Sequence, residues 1–458
     1  MSGEQGAAGT MKTFLDWSAY DTYGIGDAYS GIPATGGNYA KAVAVCMHSR
    51  DCQNVGKGVM CPSYRITGDR AHSTEARVAA FKAALNGEYG EKSFDDPRLA
   101  ESMDLCVSCK ACKKECPSSV DMTLIKTEYL AQRHAILGVP RRTRLFGGLP
   151  RWAFRYRRLL RAGIFLRNRS EALAKLAERW LGIAAARPLP ALAPKPFADV
   201  EAKAEGERGE VILFVDTFCH HFDPEIAEAA VTVLSSAGYK VRIAKPAPED
   251  SEPDRPLCCG RTYLTTGLVE EARVEGKRVL AAFLPEIAKG TPIVGLEPSC
   301  LLSLRDELYS LGLGAEVGAL GKQLYLLEEF LVREHQRGLR LNLKPLDLPK
   351  ALVHGHCHQK AFGVMKATRK ALSWIPGFKF DIIESSCCGM AGSFGLEAEH
   401  YQASLDMAEI SLMPAVRESA QDTPIIANGF SCRHQIAHGS GRSSVHIAVL
   451  LRDALVVN

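Results

Sequence analysis

From Val211 onward, short apolar runs alternate with longer stretches whose apolar residues recur at helical spacing, and this alternation predicts α/β architecture. The order of predicted elements occurs twice. The first copy reads strand Val211 to Val215, Cys219, helix Pro224 to Ala237, strand Val241 to Ala244, Cys258-Cys259-Gly260, helix Glu270 to Ala288, strand Ile293 to Leu296, then Ser299-Cys300. The second reads strand Ala351 to His354, Cys357, a helix near Ala367 to Trp374, strand Phe378 to Ile383, Cys387-Cys388-Gly389, helix Glu397 to Arg417, strand Ile425 to Ala427, then Ser431-Cys432. Matching cysteines stand about 130 residues apart, so the repeat is structural rather than compositional. In parallel α/β sheets ligands collect at the carboxyl ends of strands, where these cysteines fall and where they would converge in space.

The preceding chain divides differently. Residues 1–38 are Gly-rich, with Tyr23-Gly-Ile-Gly-Asp and Gly36-Gly37, and have no clear period, which predicts an extended arm packed on something else. Residues 39–135 carry two cysteine clusters around a helical stretch, His72 to Leu85, with Val78, Phe81 and Leu85 on one face. Residues 136–200 form a basic helical linker ending in the Pro-rich stretch Pro188 to Pro196, which marks a boundary. The two repeats then occupy residues 201–345 and 346–458.

Composition narrows the function classes. Of 458 residues, 46% are apolar and 24% charged, an ordinary globular balance with room for two or three cores. A net charge of +4 does not call for a nucleic-acid partner. The N-terminus from Met1 to Thr10 lacks a signal pattern and no eighteen apolar residues run together, so a cytoplasmic protein is expected. One stretch qualifies this: from Arg133 to Arg169 there are eleven arginines and no acidic residue, interleaved with Trp152, Phe154, Tyr156, Leu159, Leu160, Ile164, Phe165 and Leu166. That pattern suits either an acidic partner subunit or peripheral contact with the inner face of a membrane.

Cysteine is the departure from average. Fifteen in tight clusters fit metal ligation under reducing conditions better than a disulfide framework. The sharpest signal is Cys106-Val-Ser-Cys109-Lys-Ala-Cys112-Lys-Lys-Glu-Cys116-Pro117, a C-x2-C-x2-C-x3-C-P run. Three thiolates at that spacing wrap a 4Fe-4S cubane, and the fourth reaches a different cluster in two-cluster ferredoxins. Zinc would normally show two separated C-x2-C pairs. The partner motif, Cys46-x5-Cys52-x8-Cys61-Pro62, lacks its middle cysteine, with Ser49 where it would stand. By the crossed arrangement Cys61 joins Cys106, Cys109 and Cys112, while Cys116 joins Cys46 and Cys52. The second site is then one thiolate short. It would hold 3Fe-4S, or 4Fe-4S with a ligand such as His48, Ser49 or Asp51.

In each repeat one cysteine, a Cys-Cys-Gly and a last cysteine recur: Cys219, Cys258, Cys259 and Cys300, then Cys357, Cys387, Cys388 and Cys432. Adjacent cysteines resist bonding to each other but suit a metal that needs close ligands. His354, His356 and His358 flank Cys357, His434 follows Cys432, and His220 and His221 follow Cys219; most are expected to orient thiolates rather than bind metal.

These phrases together resemble the iron-sulfur subunits of FAD-linked 2-hydroxy acid oxidoreductases, including the glycolate oxidase iron-sulfur subunit and D-lactate dehydrogenase-like enzymes. The resemblance rests on Met60-Cys-Pro-Ser-Tyr-Arg, Leu105-Cys-Val-Ser-Cys-Lys, Val353-His-Gly-His-Cys-His-Gln-Lys, Ser386-Cys-Cys-Gly-Met-Ala-Gly-Ser-Phe-Gly and Gly429-Phe-Ser-Cys-Arg-His-Gln. It implies an N-terminal helical ferredoxin-like domain followed by a duplicated α/β CCG domain. It also implies an FAD-containing dehydrogenase partner that oxidises glycolate, D-lactate or D-2-hydroxyglutarate, and a quinone or other carrier as acceptor. No Gly-rich dinucleotide fingerprint precedes a helix here, so no FAD is expected on this chain. The repeats also resemble the Cys-Cys-Gly subunit of heterodisulfide reductase, which makes thiol/disulfide chemistry an alternative, as is the iron-sulfur subunit of anaerobic glycerol-3-phosphate dehydrogenase. The endings Cys300-Leu-Leu-Ser303 and Cys432-Arg-His-Gln435 lack the C-x2-C of the heterodisulfide reductase pattern, so an iron-sulfur cluster or zinc could occupy either repeat.

Overall fold

The computed structural model describes residues 11–23, 31–56, 58–199 and 208–456. The expectations for Met1 to Thr10 and for Gly24 to Asp27 lie outside these.

Two parallel sheets organise the C-terminal part. The first has four strands, β1 (Glu210–Phe214), β2 (Lys240–Ile243), β3 (Ile293–Gly295) and β4 (Leu324–Leu326), in the order β2-β1-β3-β4. The second has β5 (Ala351–His354), β6 (Phe380–Ile382) and β7 (Ile425–Ala427), in the order β6-β5-β7. In both, the first strand in sequence is central and pairs in parallel with the next two, Ile212 facing Ile293 and Leu352 facing Ile425. β1 and β3 are covered on both faces, as their unbroken apolar runs require.

Two elements differ from those the sequence predicts. β4 has no counterpart among the expected strands, because its three residues run directly into the helix Leu327–Gln336 and carry no separate period. The single helix expected from Glu397 to Arg417 is divided into Tyr401–Glu409 and Leu412–Glu418. Pro414 supplies no amide hydrogen to a continuing helix and its ring crowds the preceding turn, so the chain restarts at Leu412.

The N-terminal unit is built from short helices around Tyr39, Phe81, Leu99, Met103 and Ile125, all essentially inaccessible. Burying a side chain such as Phe81 stabilises the fold by about 1.5–3 kcal/mol. Ser73 caps the helix Thr74–Leu85 through Ala76 N (3.3 Å), and Asp121 caps Met122–Leu137 through Leu124 N (3.3 Å). The arm finds its partner within the chain: the Glu128 carboxylate accepts from Phe14 N (2.9 Å), Leu15 N (2.8 Å) and the Trp17 indole (3.2 Å).

The basic segment forms the helices Arg141–Gly147, Leu149–Arg155, Arg157–Arg169 and Glu171–Leu181. The Pro-rich stretch after them is a strap rather than a free linker. Ala193 N and Phe197 N donate to His221 O (3.0 Å) and His220 O (2.8 Å), and Ala184 N donates to Leu396 O (2.8 Å). Arg187, 1% exposed, reaches Gln435, Ser404 and Met390, so the strap ties both sheets together. Among the described residues no helix is long and apolar enough to cross a membrane.

Candidate metal centres

All seven non-glycine residues at positive φ among the described residues, His48, Arg50, Cys61, Ser108, Lys110, Ser119 and Ala391, lie within three positions of a cysteine. Each costs backbone energy, and strain collected in this way marks loops shaped around something. The first cysteine loop ends at Pro62, which occupies the first turn of the helix Pro62–Thr67 where its missing amide hydrogen costs nothing.

Within the N-terminal unit the thiols gather in two neighbouring groups. Cys61, Cys106, Cys109 and Cys112 surround one small cavity. Cys46 faces Cys116 and Cys52. The Cys52 and Cys61 thiols are within hydrogen-bonding reach, so the two groups are neighbours, and this contact brings Cys52 down to about 6. Thr74 N donates to Cys61 Sγ (3.2 Å). Burial pushes the Cys106 thiol up, but Arg77, Lys126 and Ser108 more than offset it. Arg77 is 2% exposed and held by Ser102 O (2.7 Å) and Ser63 Oγ (2.9 Å), a fixed positive charge beside the thiols. Cys109 and Cys112 are pushed up by burial and by neighbouring acidic groups, Cys357 for the former and Asp121 for the latter. Four thiols around one cavity, three of them buried and Cys109 partly so, bordered by a buried arginine and curled loops, are a donor set that fits a 4Fe-4S cluster. His48 is half exposed and pairs with Glu75 Oε1 (3.2 Å), while its backbone amide supports Cys46.

The C-terminal thiols converge across the two sheets. Cys300, Cys357 and Cys432 sit just past β3, β5 and β7, Cys387-Cys388 in the short loop after β6, and Cys258-Cys259 at the end of a longer loop after β2. Cys258, Cys259 and Cys300 line the same cavity of about 420 Å³ as Cys357, Cys387 and Cys388. The two repeats therefore face each other over one space rather than holding separate pockets. Cys259 contacts both Cys258 and Cys300, and Cys388 contacts both Cys387 and Cys432. His354 joins Cys388 and Cys432, their ligand atoms all within 4.8 Å of one another. Gly260 N and Gly389 N donate to Cys258 Sγ and Cys387 Sγ, each at 3.4 Å. Contact with a neighbouring thiol and burial push Cys258 and Cys387 up, whereas contacts with Cys387 push Cys357 and Cys388 down. Thiol and thiolate thus lie side by side in a group where a bound cation would favour the thiolate form.

Cys219 stands apart from this grouping. It is buried in the apolar core that holds Val211 and Leu213, beside Asp216, Arg433 and Glu297, and does not line the shared cavity. His220 and His221 are pushed down to about 4 and about 3, chiefly by burial. His356 caps its own helix through His358 N (3.1 Å), and His358 Nε2 approaches Ser108 O (3.4 Å).

Several residues that build the site have no signature in the sequence. Lys110, between Cys109 and Cys112, is fully buried and pairs with Asp121 (3.1 Å), Glu307 (3.4 Å) and Asp306. It ties the first cysteine run to the chain beyond Cys300. On the other side His400 sits between Asp104 (2.9 Å) and Glu397 (2.8 Å), stacked on Phe394. Burial opposes its charge, but the two carboxylates prevail and lift it to about 9. Its folded pKa is raised, so its stabilisation is complete below about pH 6.5 and is lost as pH rises through about 9. The melting temperature should fall across that window, and His400→Gln should flatten this part of the profile. An unchanged profile would remove the ion pair from the account.

Comparison with known proteins agrees with the first group of thiols. Residues 42–120 match the family described as a 4Fe-4S dicluster domain. A subunit of the anaerobic glycerol-3-phosphate dehydrogenase of Escherichia coli is 26% identical over 260 residues, 57% of this chain and 62% of that protein. D-2-hydroxyglutarate dehydrogenase of Escherichia coli is 25% identical over 439 residues, 84% of this chain and 41% of that protein. Lactate utilization protein A 2 of Bacillus cereus is 24% identical over 251 residues, 53% of this chain and 95% of that protein. The chain thus spans less than two thirds of the length of either Escherichia coli relative. Curled loops, buried thiols and these likenesses converge on an iron-sulfur protein whose N-terminal unit is a 4Fe-4S dicluster domain, related to dehydrogenases and their subunits.

Proposed function

We propose that this chain is the iron-sulfur electron-transfer component of a dehydrogenase that oxidises a 2-hydroxy acid. A separate FAD subunit would oxidise glycolate, D-lactate or D-2-hydroxyglutarate and deliver the electrons, which leave to a quinone or another carrier. The observation that carries this reading is contiguity. Cys109 faces Cys357, and Cys106 borders the cavity that Cys258, Cys259, Cys300, Cys387 and Cys388 also line. Charge entering one group of thiols has no thickness of protein to cross before the next.

In this reading Cys61, Cys106, Cys109 and Cys112 hold one 4Fe-4S cluster, and Cys46, Cys52 and Cys116 hold a second, 4Fe-4S or 3Fe-4S. The remaining cysteines, on a duplicated CCG module with repeats at 201–345 and 346–458, hold a further cluster or zinc, with Cys219 the weakest member of the set. Once bound, iron-sulfur groups accept and release single electrons. The chain's own part is to desolvate the thiols, donate amide hydrogens to sulfur and keep Arg77 and Lys126 beside Cys106, where positive charge favours the more negative reduced state. A glycerol-3-phosphate dehydrogenase assembly is the second reading, favoured by the relative from that enzyme.

Anaerobic iron and sulfide analysis with EPR tests the proposal. Cys109→Ser should remove one 4Fe-4S signal and stop electron passage from dehydrogenase to acceptor. A colourless protein without iron, or full throughput in the variant, would overturn it. Co-purification of a flavoprotein separates the two substrate classes through the substrate that flavoprotein oxidises.

A further inference from the structure

Behind the basic helices lies a second cavity, of about 150 Å³, almost wholly apolar. Its outer wall is Leu145, Leu149, Trp152, Leu160 and Ile164, and its floor is Phe218, Phe430 and Met390. Phe218 adjoins Cys219, and Phe430 and Met390 stand two residues from Cys432 and Cys388. Phe218 and Phe430 stack with centroids 4.5 Å apart, Phe222 meets Phe430 edge-on at 5.3 Å, and together they form an aromatic platform. This cavity shares Phe218, Thr262, Thr265 and Phe430 with the thiol-lined cavity on one side. On the other it shares Trp152, Leu160 and Ile164 with a groove that opens to the surface past Tyr156 and Leu159. Three adjoining cavities therefore lie in line from the thiols to the outside.

The mouth has its own character. Leu159 is 73% exposed and Trp180 69%, and Phe165 and Leu166 are also exposed, among arginines with no acidic residue from Arg133 to Arg169. Apolar and aromatic side chains amid arginines of which only Arg133, Arg142 and Arg151 pair with a carboxylate complement an anionic bilayer, not water and not an acidic protein surface, which would leave the aromatics exposed. An apolar cavity of about 150 Å³ is large enough for one six-membered aromatic ring. We propose that this cavity is the docking site of a lipid-soluble quinone, which enters from an anionic bilayer through the groove between Trp152, Leu159 and Ile164. The proposal rests on the electron-transfer reading above and gives its acceptor a place. A quinone bound there takes two electrons from the reduced chain and two protons from water and leaves as the quinol.

The test uses the full chain, prepared without oxygen and mixed with phosphatidylglycerol vesicles containing a short-tailed azido-ubiquinone. Light should attach the label to peptides spanning 145–164 and 218–222 or 430–434. Leu160→Trp, which narrows the passage, should cut labelling per vesicle-bound protein about tenfold while iron content stays unchanged. Label confined to other peptides, no label, or undiminished label in Leu160→Trp would overturn the proposal. Iron and EPR signals from the same samples keep the two readings apart: present clusters with no label sink only the quinone site, whereas absent clusters sink the electron-transfer reading itself.

Discussion

Lys110→Met should lower the stability of the iron-loaded protein by about 3–5 kcal/mol, the usual cost of removing one partner from a buried ion pair. The ammonium is fully buried, and its partners Glu307 and Asp121 are 1% and 4% exposed in their side chains. Methionine matches the length of the side chain but leaves those carboxylates facing each other across an apolar gap. Lys113 remains beside Asp121 and Asp306, and Arg261 beside Glu307, so the loss falls short of the full charge penalty. The damage should be local first. Because Asp306 and Glu307 follow Cys300 whereas Lys110 lies in the first cysteine run, hydrogen exchange should rise on both sides of this seam while β1 and β5 stay protected. A loss below about 1 kcal/mol, or uniform exchange, would show that the pairs contribute nothing to the seam.

Gly389→Ala should be more damaging still, and more so than Gly260→Ala at the matching position. Both glycines have positive φ, +84° and +77°, so both variants bear backbone strain of about 1–3 kcal/mol. The surroundings differ. A Cβ at Gly389 would lie 2.1 Å from the carbonyl oxygen of Ser404, whereas one at Gly260 would lie 3.1 Å from Ala272 O. Ser404 cannot retreat freely, since its carbonyl accepts from Gln435 Nε2 (3.0 Å) and its hydroxyl from Arg187 (3.3 Å), the anchor of the strap. Gly389→Ala should therefore loosen the strap and the Cys387-Cys388 loop together, lowering the melting temperature and, on the proposed reading, the content of the cluster or zinc held by the C-terminal thiols. Gly260→Ala should fold with its metal content largely retained. Equal behaviour of the two variants would show that contact with the Ser404 backbone does not govern the loop.

The role of these glycines marks where sequence reading stops. Next to paired cysteines a glycine reads as a flexible element beside a metal, but it is required because a helix backbone passes against it. The same limit applies to Cys219. Its spacing matches that of Cys357, yet one thiol enters an apolar core and the other lines the shared cavity: both helices are capped by a side chain, Asp216 and His356, but Cys219 is the third residue of its helix and Cys357 the first. The strap shows it too, since nothing in the sequence around the Pro-rich stretch announces that Arg187 will be buried against Met390, Ser404 and Gln435.

Local spacing determined what depends on a few consecutive residues: the cysteine runs and, β4 excepted, the alternation of strands and helices that builds the two sheets. These are legible because thiol reach and backbone period act over single turns of chain. Tertiary structure alone decided that both repeats open onto one cavity, that Lys110 seals the first cysteine run to the chain after Cys300, and that an aromatic floor lies beneath the arginine-rich helices. Those facts depend on residues more than a hundred positions apart meeting in space, and packing forces of that range leave no period in the sequence.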